Sequence, residues 1–186
     1  MRIIAGKARG TRLLTPQDNK IIRPTSDYIR ENLFNIIQND VQGAAFLDLF
    51  AGTGAVGIEA LSRGAASATF IDNSQKSIEL IKKNLQKTKL SDLATVIKHS
   101  IPEALSKPGL KNQKFNIIFL DPPYFTDNLA GKTLEEILKQ EILISNGLIA
   151  LEAPKQEQIT LPQNIEIWKE KIYGNSKLIF LINTGY

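Results

Sequence analysis

From residue 46 onward the chain alternates short apolar runs with amphipathic stretches, and this rhythm restricts it to very few architectures. Runs of strand length occupy 46–50, 68–71, 94–97, 115–120 and 148–151, and helix-patterned stretches fill 54–63, 74–87, 102–107 and 128–140 between them. A strand that is apolar on both faces must be covered on both. Near-continuous runs such as Phe115-Asn-Ile-Ile-Phe-Leu120 therefore indicate a parallel sheet with helices packed on each side. The last part breaks the pattern. Ile165-Glu-Ile-Trp-Lys-Glu-Lys-Ile172 alternates, Tyr173-Gly-Asn-Ser176 is a turn, and 177–182 is a further run. Together they read as an antiparallel hairpin closing the sheet, with Trp168 expected in the core. The prediction is an α/β fold built on a mostly parallel, Rossmann-like, seven-stranded sheet. At 186 residues and 42% hydrophobic, the chain can bury one full core.

The run at 115–120 ends in Asp121-Pro122-Pro123-Tyr124. Neither proline can donate a ladder hydrogen bond and each fixes its own φ, so the strand stops at a stiff corner. In open α/β sheets the carboxyl ends of the strands are where ligands bind. Asp121 and the Pro122 carbonyl can accept the hydrogens of a planar amine, while Tyr124 can cover a ring face. That combination points to chemistry on a nucleobase.

At the first strand-to-helix junction, Gly52, Gly54 and Gly57 form G-x-G-x-x-G. Only glycine allows so tight a bend and so close a ligand approach there. The motif alone fits an NAD-binding domain equally well. Asp48, four residues before Gly52, separates the two readings. It would repel a pyrophosphate and attract the cationic amino-acid end of S-adenosylmethionine. Asp72 ends the second strand, where a carboxylate can accept both ribose hydroxyls or cap the helix that begins near Asn73 and Ser74.

Charge is unevenly placed. Residues 1–34 hold seven basic groups (Arg2, Lys7, Arg9, Arg12, Lys20, Arg23, Arg30) against three acidic ones, which accounts for the whole excess of +4. Arginine grips phosphate with a bidentate fork and stacks on bases, so a polyanion is the expected partner. A solvated surface strand is the plainer account. The first dozen residues alternate loosely, as in a short hairpin. Pro24-Thr25-Ser26 then caps a helix carrying Tyr28, Ile29, Leu33, Phe34, Ile36 and Ile37 at helical spacing. Asp27, Arg30 and Glu31 share a face of that helix. They would form an intrahelical ion-pair set, or the segment would cross the mouth of the site with Arg23 or Arg30 engaging a polyanion phosphate. The chain has no cysteine and a single histidine, His99, which excludes thiolate metal sites and makes a Ser-His-Asp site untenable. No apolar run approaches the roughly 20 residues of a membrane helix, and no signal-peptide layout opens the chain.

Taken together, these motifs resemble class I S-adenosylmethionine-dependent methyltransferases acting on exocyclic amino groups. Arg2-Ile-Ile-Ala-Gly-Lys-Ala-Arg-Gly10, Arg23-Pro-Thr-Ser-Asp27-Tyr-Ile-Arg30-Glu-Asn-Leu-Phe34, the stretch from Asp48 through Gly57 to Arg63, and Phe119-Leu-Asp-Pro-Pro-Tyr124 narrow the likeness. They resemble RsmD, the bacterial family that methylates N2 of a guanine in 16S ribosomal RNA, over nearly the whole chain. The resemblance implies an RNA-recognition extension at 1–40 and a catalytic domain at 41–186. It implies a cofactor site of Asp48, Phe50, Gly52, Gly54, Gly57, Asp72, Asn73 and Ser100, and catalysis at Asp121, Pro122 and Tyr124. RNA would be met by Arg9, Arg23, Arg30, Pro123 and Phe125, with either Tyr124 or Phe125 stacking on a flipped base. The cofactor is S-adenosylmethionine, the partner 16S rRNA in a 30S subunit or assembly intermediate, and no metal is needed. The protein would be a cytoplasmic monomer. One departure is Lys98-His99-Ser100, where such enzymes often place Asp or Asn for the cofactor adenine. DNA adenine-N6 and protein glutamine-N methylation remain alternatives, disfavoured by the lack of a separate target-recognition domain and by the arginine-rich arm.

Overall fold

The computed structural model describes residues 1–16, 27–110, 112–124, 126 and 128–185; Arg23, the expected cap at 24–26 and Phe125 lie outside them. Seven strands form one sheet: β1 (Ala45–Leu49), β2 (Ser67–Asp72), β3 (Ala94–Lys98), β4 (Phe115–Leu120), β5 (Leu143–Pro154), β6 (Ile165–Tyr173) and β7 (Ser176–Asn183). Their order is β3-β2-β1-β4-β5-β7-β6. The first five run parallel, and β7 lies antiparallel between β5 and β6. The helices are α1 (Asp27–Ile36), α2 (Ala55–Ser62), α3 (Gln75–Thr88) and α4 (Leu129–Lys139). This is the arrangement the apolar rhythm predicts.

Three details differ. The helix expected at 102–107 is a single 3-10 turn, Glu103–Ser106. Pro108 follows, and the residue before a proline is driven out of the helical region; Lys107 is extended at ψ 149°. The N-terminal hairpin is reduced to one antiparallel bridge, Arg2 to Arg12. Trp168 is not in the core: it is 52% exposed. The register of β6 on β7 shifts between Ile167 and Lys169, so strict alternation fails at Trp168, which leans edge-on to the Phe180 ring at 6.1 Å.

Alternation elsewhere sorts the strands' side chains into two cores. Phe46, Phe70, Phe119 and Phe180 face α1, α2 and the N-terminal segment, while Leu47, Leu49, Ile118 and Leu120 face α4. Every residue of α2 is buried, because the sheet covers one side and residues 1–13 cover the other. Gly57 sets how closely α2 approaches the sheet. A Cβ there would lie 2.4 Å from Phe70 Cε1 and 3.1 Å from Asp48 Oδ2.

Chain direction reverses its lateral progress between β1 and β4: β2 and β3 add on one side, β5 on the other. The crevice at the carboxyl ends of these two neighbours is where an open α/β sheet binds its ligand.

Gly57→Ala is expected to destabilise the fold by about 1–3 kcal/mol, the cost of overpacking a filled core. Urea unfolding measures it, with the midpoint shifting down at unchanged slope.

Candidate active site

A cleft of about 490 Å³ opens at that crevice. Four adjacent strands each deliver one carboxylate to it: Asp72 from β2, Asp48 from β1, Asp121 just beyond β4, and Glu152 from β5. The register explains why. Asp48 pairs with Phe119 and Leu120 pairs with Leu151, so Asp121 and Glu152 emerge side by side beyond the β1 end.

Asp48 is the most perturbed of these groups. It is buried, and its Oδ2 accepts the Gly57 N–H at 2.8 Å. Burial pushes its pKa from the ordinary 3.8 up to about 8; the Gly57 N–H partly offsets this, and the nearby Asp72 charge adds to it. Asp72 is held from both sides. Its Oδ2 accepts the Gly52 N–H and its Oδ1 the Ser74 N–H, each at 2.8 Å, while the Ser74 side chain caps α3 through Ser77 N. The two roles considered for Asp72 are thus not exclusive: it fixes the glycine loop and the helix entrance while still facing the cleft.

The loop between β1 and α2 turns on left-handed residues. Phe50 (φ 61°), Gly52 (φ 54°) and Gly54 (φ 75°) all lie there. For a phenylalanine that backbone is uncommon and costs energy, and such strain concentrates at functional sites.

Most of the residues singled out by sequence meet in this cleft: Asp48, Phe50, Gly52, Asp72, Asn73, Ser100, Asp121, Pro122, Pro123 and Tyr124 line it. Gly54 and Gly57 do not. Gly54 backs onto Ile81 and Ile58, and Gly57 lies beneath, against Phe70. Their part is to let the loop and helix close on the sheet. Of Lys98-His99-Ser100, the last two line the cleft, and His99 Nδ1 lies 3.0 Å from the Ser100 carbonyl oxygen. Tyr124 is half-buried, its hydroxyl 3.3 Å from Ser176 Oγ at the start of β7. Thr53 and Leu129 also line the site without any prior signal. Glu152, buried near the end of β5, lines it as well.

The family model described as conserved hypothetical protein 95 matches residues 1–182. The chain belongs to this family. The ribosomal RNA small subunit methyltransferase D of Haemophilus influenzae is 39% identical over 176 residues, spanning 94% of this chain and 89% of that protein. The Escherichia coli K12 protein of the same name is 37% identical over 175 residues, 94% and 85% of the two chains. Among solved structures, the Escherichia coli candidate methyltransferase yhhF superposes with a TM-score of 0.87 at 33% identity, covering 100% of this chain and 99% of that one. The Haemophilus influenzae candidate methylase HI0767 follows at 0.81 and 35%, covering 98% and 97%. The fold is that of the class I methyltransferases.

For this family member the placement of Arg30 corrects the expectation of a phosphate contact. Arg30 is completely buried. Its Nη2 donates to the Arg2 carbonyl and to Asp27 at 3.0 Å, and its Nε lies 3.6 Å from Glu59 Oε2. Glu59, buried inside α2, is the hub sequence reasoning missed. It also accepts the N–H groups of Ile4 (2.8 Å) and Ala5 (3.0 Å) and the Arg63 Nε at 2.7 Å. Glu31 is exposed and has no part in this set. The available signal was a lone carboxylate within the apolar stretch Ala55-Val-Gly-Ile-Glu-Ala-Leu61, since buried charges are paired. Ser62 and Asn84 extend the clamp. Ser62 Oγ accepts the Ala8 N–H at 2.9 Å and donates to the Ala5 carbonyl. Asn84 pairs with the Leu14 N–H and carbonyl at 2.7 and 3.1 Å.

Glu59→Ala is expected to cost about 3–5 kcal/mol, because it leaves the buried Arg30 with only the half-exposed Asp27 as counter-charge and strips two backbone N–H groups of their acceptor. Arg30→Ala should cost less, since Glu59 keeps Arg63. Denaturant unfolding of the two variants side by side checks the order.

Proposed function

We propose that this chain transfers a methyl group from S-adenosylmethionine to the exocyclic N2 of a guanine in 16S rRNA, within a small ribosomal subunit or its assembly intermediate. The observation that carries the proposal is the meeting of Asp48 and the Asp121–Tyr124 corner in one cleft at the β1/β4 reversal. The small-subunit methyltransferase names of relatives near 40% identity support the rRNA substrate.

The residues present fit such a cofactor. Asp48 is a carboxyl whose pKa burial raises to about 8, and an amino-acid ammonium placed beside it would favour its ionised form. Asp72 has given one lone pair of each oxygen to a backbone N–H and keeps others for ribose hydroxyls. Asn73, Phe50, Gly52 and Ser100 complete the wall on that side. S-adenosylmethionine supplies an electrophilic methyl group on a sulfonium.

The chain's own residues then prepare the nucleophile. A guanine amine is conjugated with its ring, so its lone pair is poorly available. Asp121 and the Pro122 carbonyl accept its two N–H bonds, let the nitrogen pyramidalise, and aim the lone pair into the cleft. Asp121 is the acceptor of the released proton. Tyr124 lies over the base, its ring oriented by the hydroxyl contact to Ser176. Rate enhancement here comes from positioning and fixed electrostatics. Residues 1–40 form the RNA-facing extension of the catalytic part at 41–186, with Arg2, Lys7, Arg9 and Arg12 exposed along it.

Asp121→Ala is expected to lower the methylation rate at least about 100-fold while leaving cofactor affinity within a few-fold of wild type. The assay is methyl incorporation into 16S rRNA and 30S subunits from a strain lacking the gene, with the product nucleoside identified by mass spectrometry. A near wild-type rate overturns the role of Asp121. Methyl transfer only to DNA adenine or to a peptide glutamine overturns the substrate.

Cofactor affinity should depend on pH with a definite sign. Below about 8 the free protein holds Asp48 protonated and neutral, so binding an ammonium against it must first release that proton. Affinity is expected to rise with pH towards 8 and to fall again above it as the ligand's own α-ammonium loses its proton; Asp48→Asn should weaken binding and flatten the rising limb. Calorimetry in buffers of different ionisation enthalpy measures both the affinity and the released proton. The same shift acts oppositely on stability: from about 4 to about 8 the folded chain holds this proton and the unfolded chain does not, so Asp48's contribution falls as pH rises.

A further inference from the structure

We propose that Tyr28 and Tyr173 form a base-stacking platform at the rim of the active site, receiving an unpaired nucleobase beside the target nucleotide of an RNA strand. The inference rests on the reading of the chain as an RNA methyltransferase and adds a second contact point for that substrate.

Tyr28 lies in the first turn of α1 and is 63% exposed, the most exposed large apolar side chain among the described residues. It is not loose. The Tyr173 ring meets it edge-to-face, with centroids 5.7 Å apart and planes at 87°. Tyr173 is itself half-buried and packed on the core that holds α1. A rigid ring that keeps most of its surface in water has a low entropic cost for stacking and leaves apolar area uncovered.

Its location is specific. Tyr173 ends β6 opposite Ser176, and Ser176 also pairs with Pro154 at the carboxyl end of β5. The β6–β7 turn therefore sits on the same edge of the sheet as the cleft. Ser176 then reaches Tyr124 at 3.3 Å, so a short run of contacts joins the rim pair to the ring that faces the target base. On the other side, α1 is tied through Arg30 to the Arg2 carbonyl, which places the platform next to the N-terminal segment and its exposed Arg2 and Arg12. An aromatic ring beside exposed cations is the combination that holds single-stranded nucleic acid: cations track the backbone, and rings take the bases whatever their identity.

The test uses Tyr28→Ala, Tyr28→Leu and Tyr28→Phe in the full chain. It compares steady-state methylation of 30S subunits from a strain lacking the gene with equilibrium binding to a single-stranded oligoribonucleotide. The alanine and leucine variants are expected to weaken RNA binding and raise KM by about 5- to 100-fold, with kcat falling less and cofactor affinity within two-fold of wild type. Phenylalanine restores binding, because the π face and not the hydroxyl is required. Leucine behaving like wild type means that only apolar bulk matters, and overturns the platform. So does an unchanged KM and RNA affinity in Tyr28→Ala. If the wild-type chain binds the oligoribonucleotide but methylates no 16S rRNA, the functional reading falls and the platform is decided by the binding series alone. If wild-type chain binds no RNA, both fall.

Discussion

The close approach of α2 to the sheet is the constraint on which the remaining structure depends. At Gly57 no side chain separates the helix from Phe70, and the backbone N–H is near enough to donate to Asp48 at 2.8 Å. One contact thus fixes the helix and places the buried Asp48 side chain in the wall of the cleft. It also fixes the far side of α2. With the sheet-facing surface seated, Glu59 and Ser62 present a polar row to residues 4–8 and hold that segment by its backbone. Gly6 repeats the logic on that side: a Cβ there would fall 1.8 Å from the Ser62 carbonyl oxygen. An eight-residue helix buried all round is a joint between two layers, and both layers bear on the site.

The four strand-end carboxylates have an energetic consequence. Burial makes ionisation of Asp48 costly and the nearby Asp72 charge adds to that cost, so Asp48 holds its proton. A cleft of this kind favours ligands that bring positive charge or N–H donors and disfavours bare phosphate. Under the proposed reading, a sulfonium and ammonium on one side and an exocyclic amine on the other meet that demand.

The fold was legible because its strands are bounded by residues with one meaning. Phe115–Leu120 is apolar throughout and stops at two prolines, and both ends were read to the residue. Misreadings fell where a flanking residue or a neighbouring strand overrides the local pattern. The 102–107 stretch has helical composition but is cut short by Pro108, and Trp168 alternates correctly until a bulge on an edge strand turns it outward. The site was legible to the extent that chemistry and backbone coincide. Asp48, Asp72 and Asp121 sit at strand ends, and strand ends converge. Of the two readings of Arg30, the ion pair with Asp27 forms and the phosphate contact does not; its further partner, Glu59, went unseen because it is 29 positions away in sequence, and no spacing rule links one helix to another. Tyr28 falls within the Arg23–Phe34 element and Tyr173 in the hairpin turn, but neither pattern assigns their rings a role; the contact between the rings and their placement beside Ser176 and the N-terminal segment exist only in the fold.

Under the proposed reading an acidic cleft serves a polyanion, a contradiction that the geometry resolves. The floor is lined by carboxylates, while the exposed arginines and Lys7 lie on the N-terminal segment. At physiological ionic strength charges interact over about 8 Å, so a phosphate at the rim is attracted by the arm, while one driven into the cleft meets the carboxylates almost unscreened. Under the proposed reading this favours a single mode of entry. The backbone stays on the basic rim, and one base, uncharged and presenting an amine, passes inward. A duplex that keeps its bases stacked cannot satisfy both halves at once, whereas a nucleotide with its base turned out from the backbone can. The separation of basic rim from acidic floor thus selects for an extruded base before any contact reads its identity, and leaves the choice among bases to the groups around Asp121.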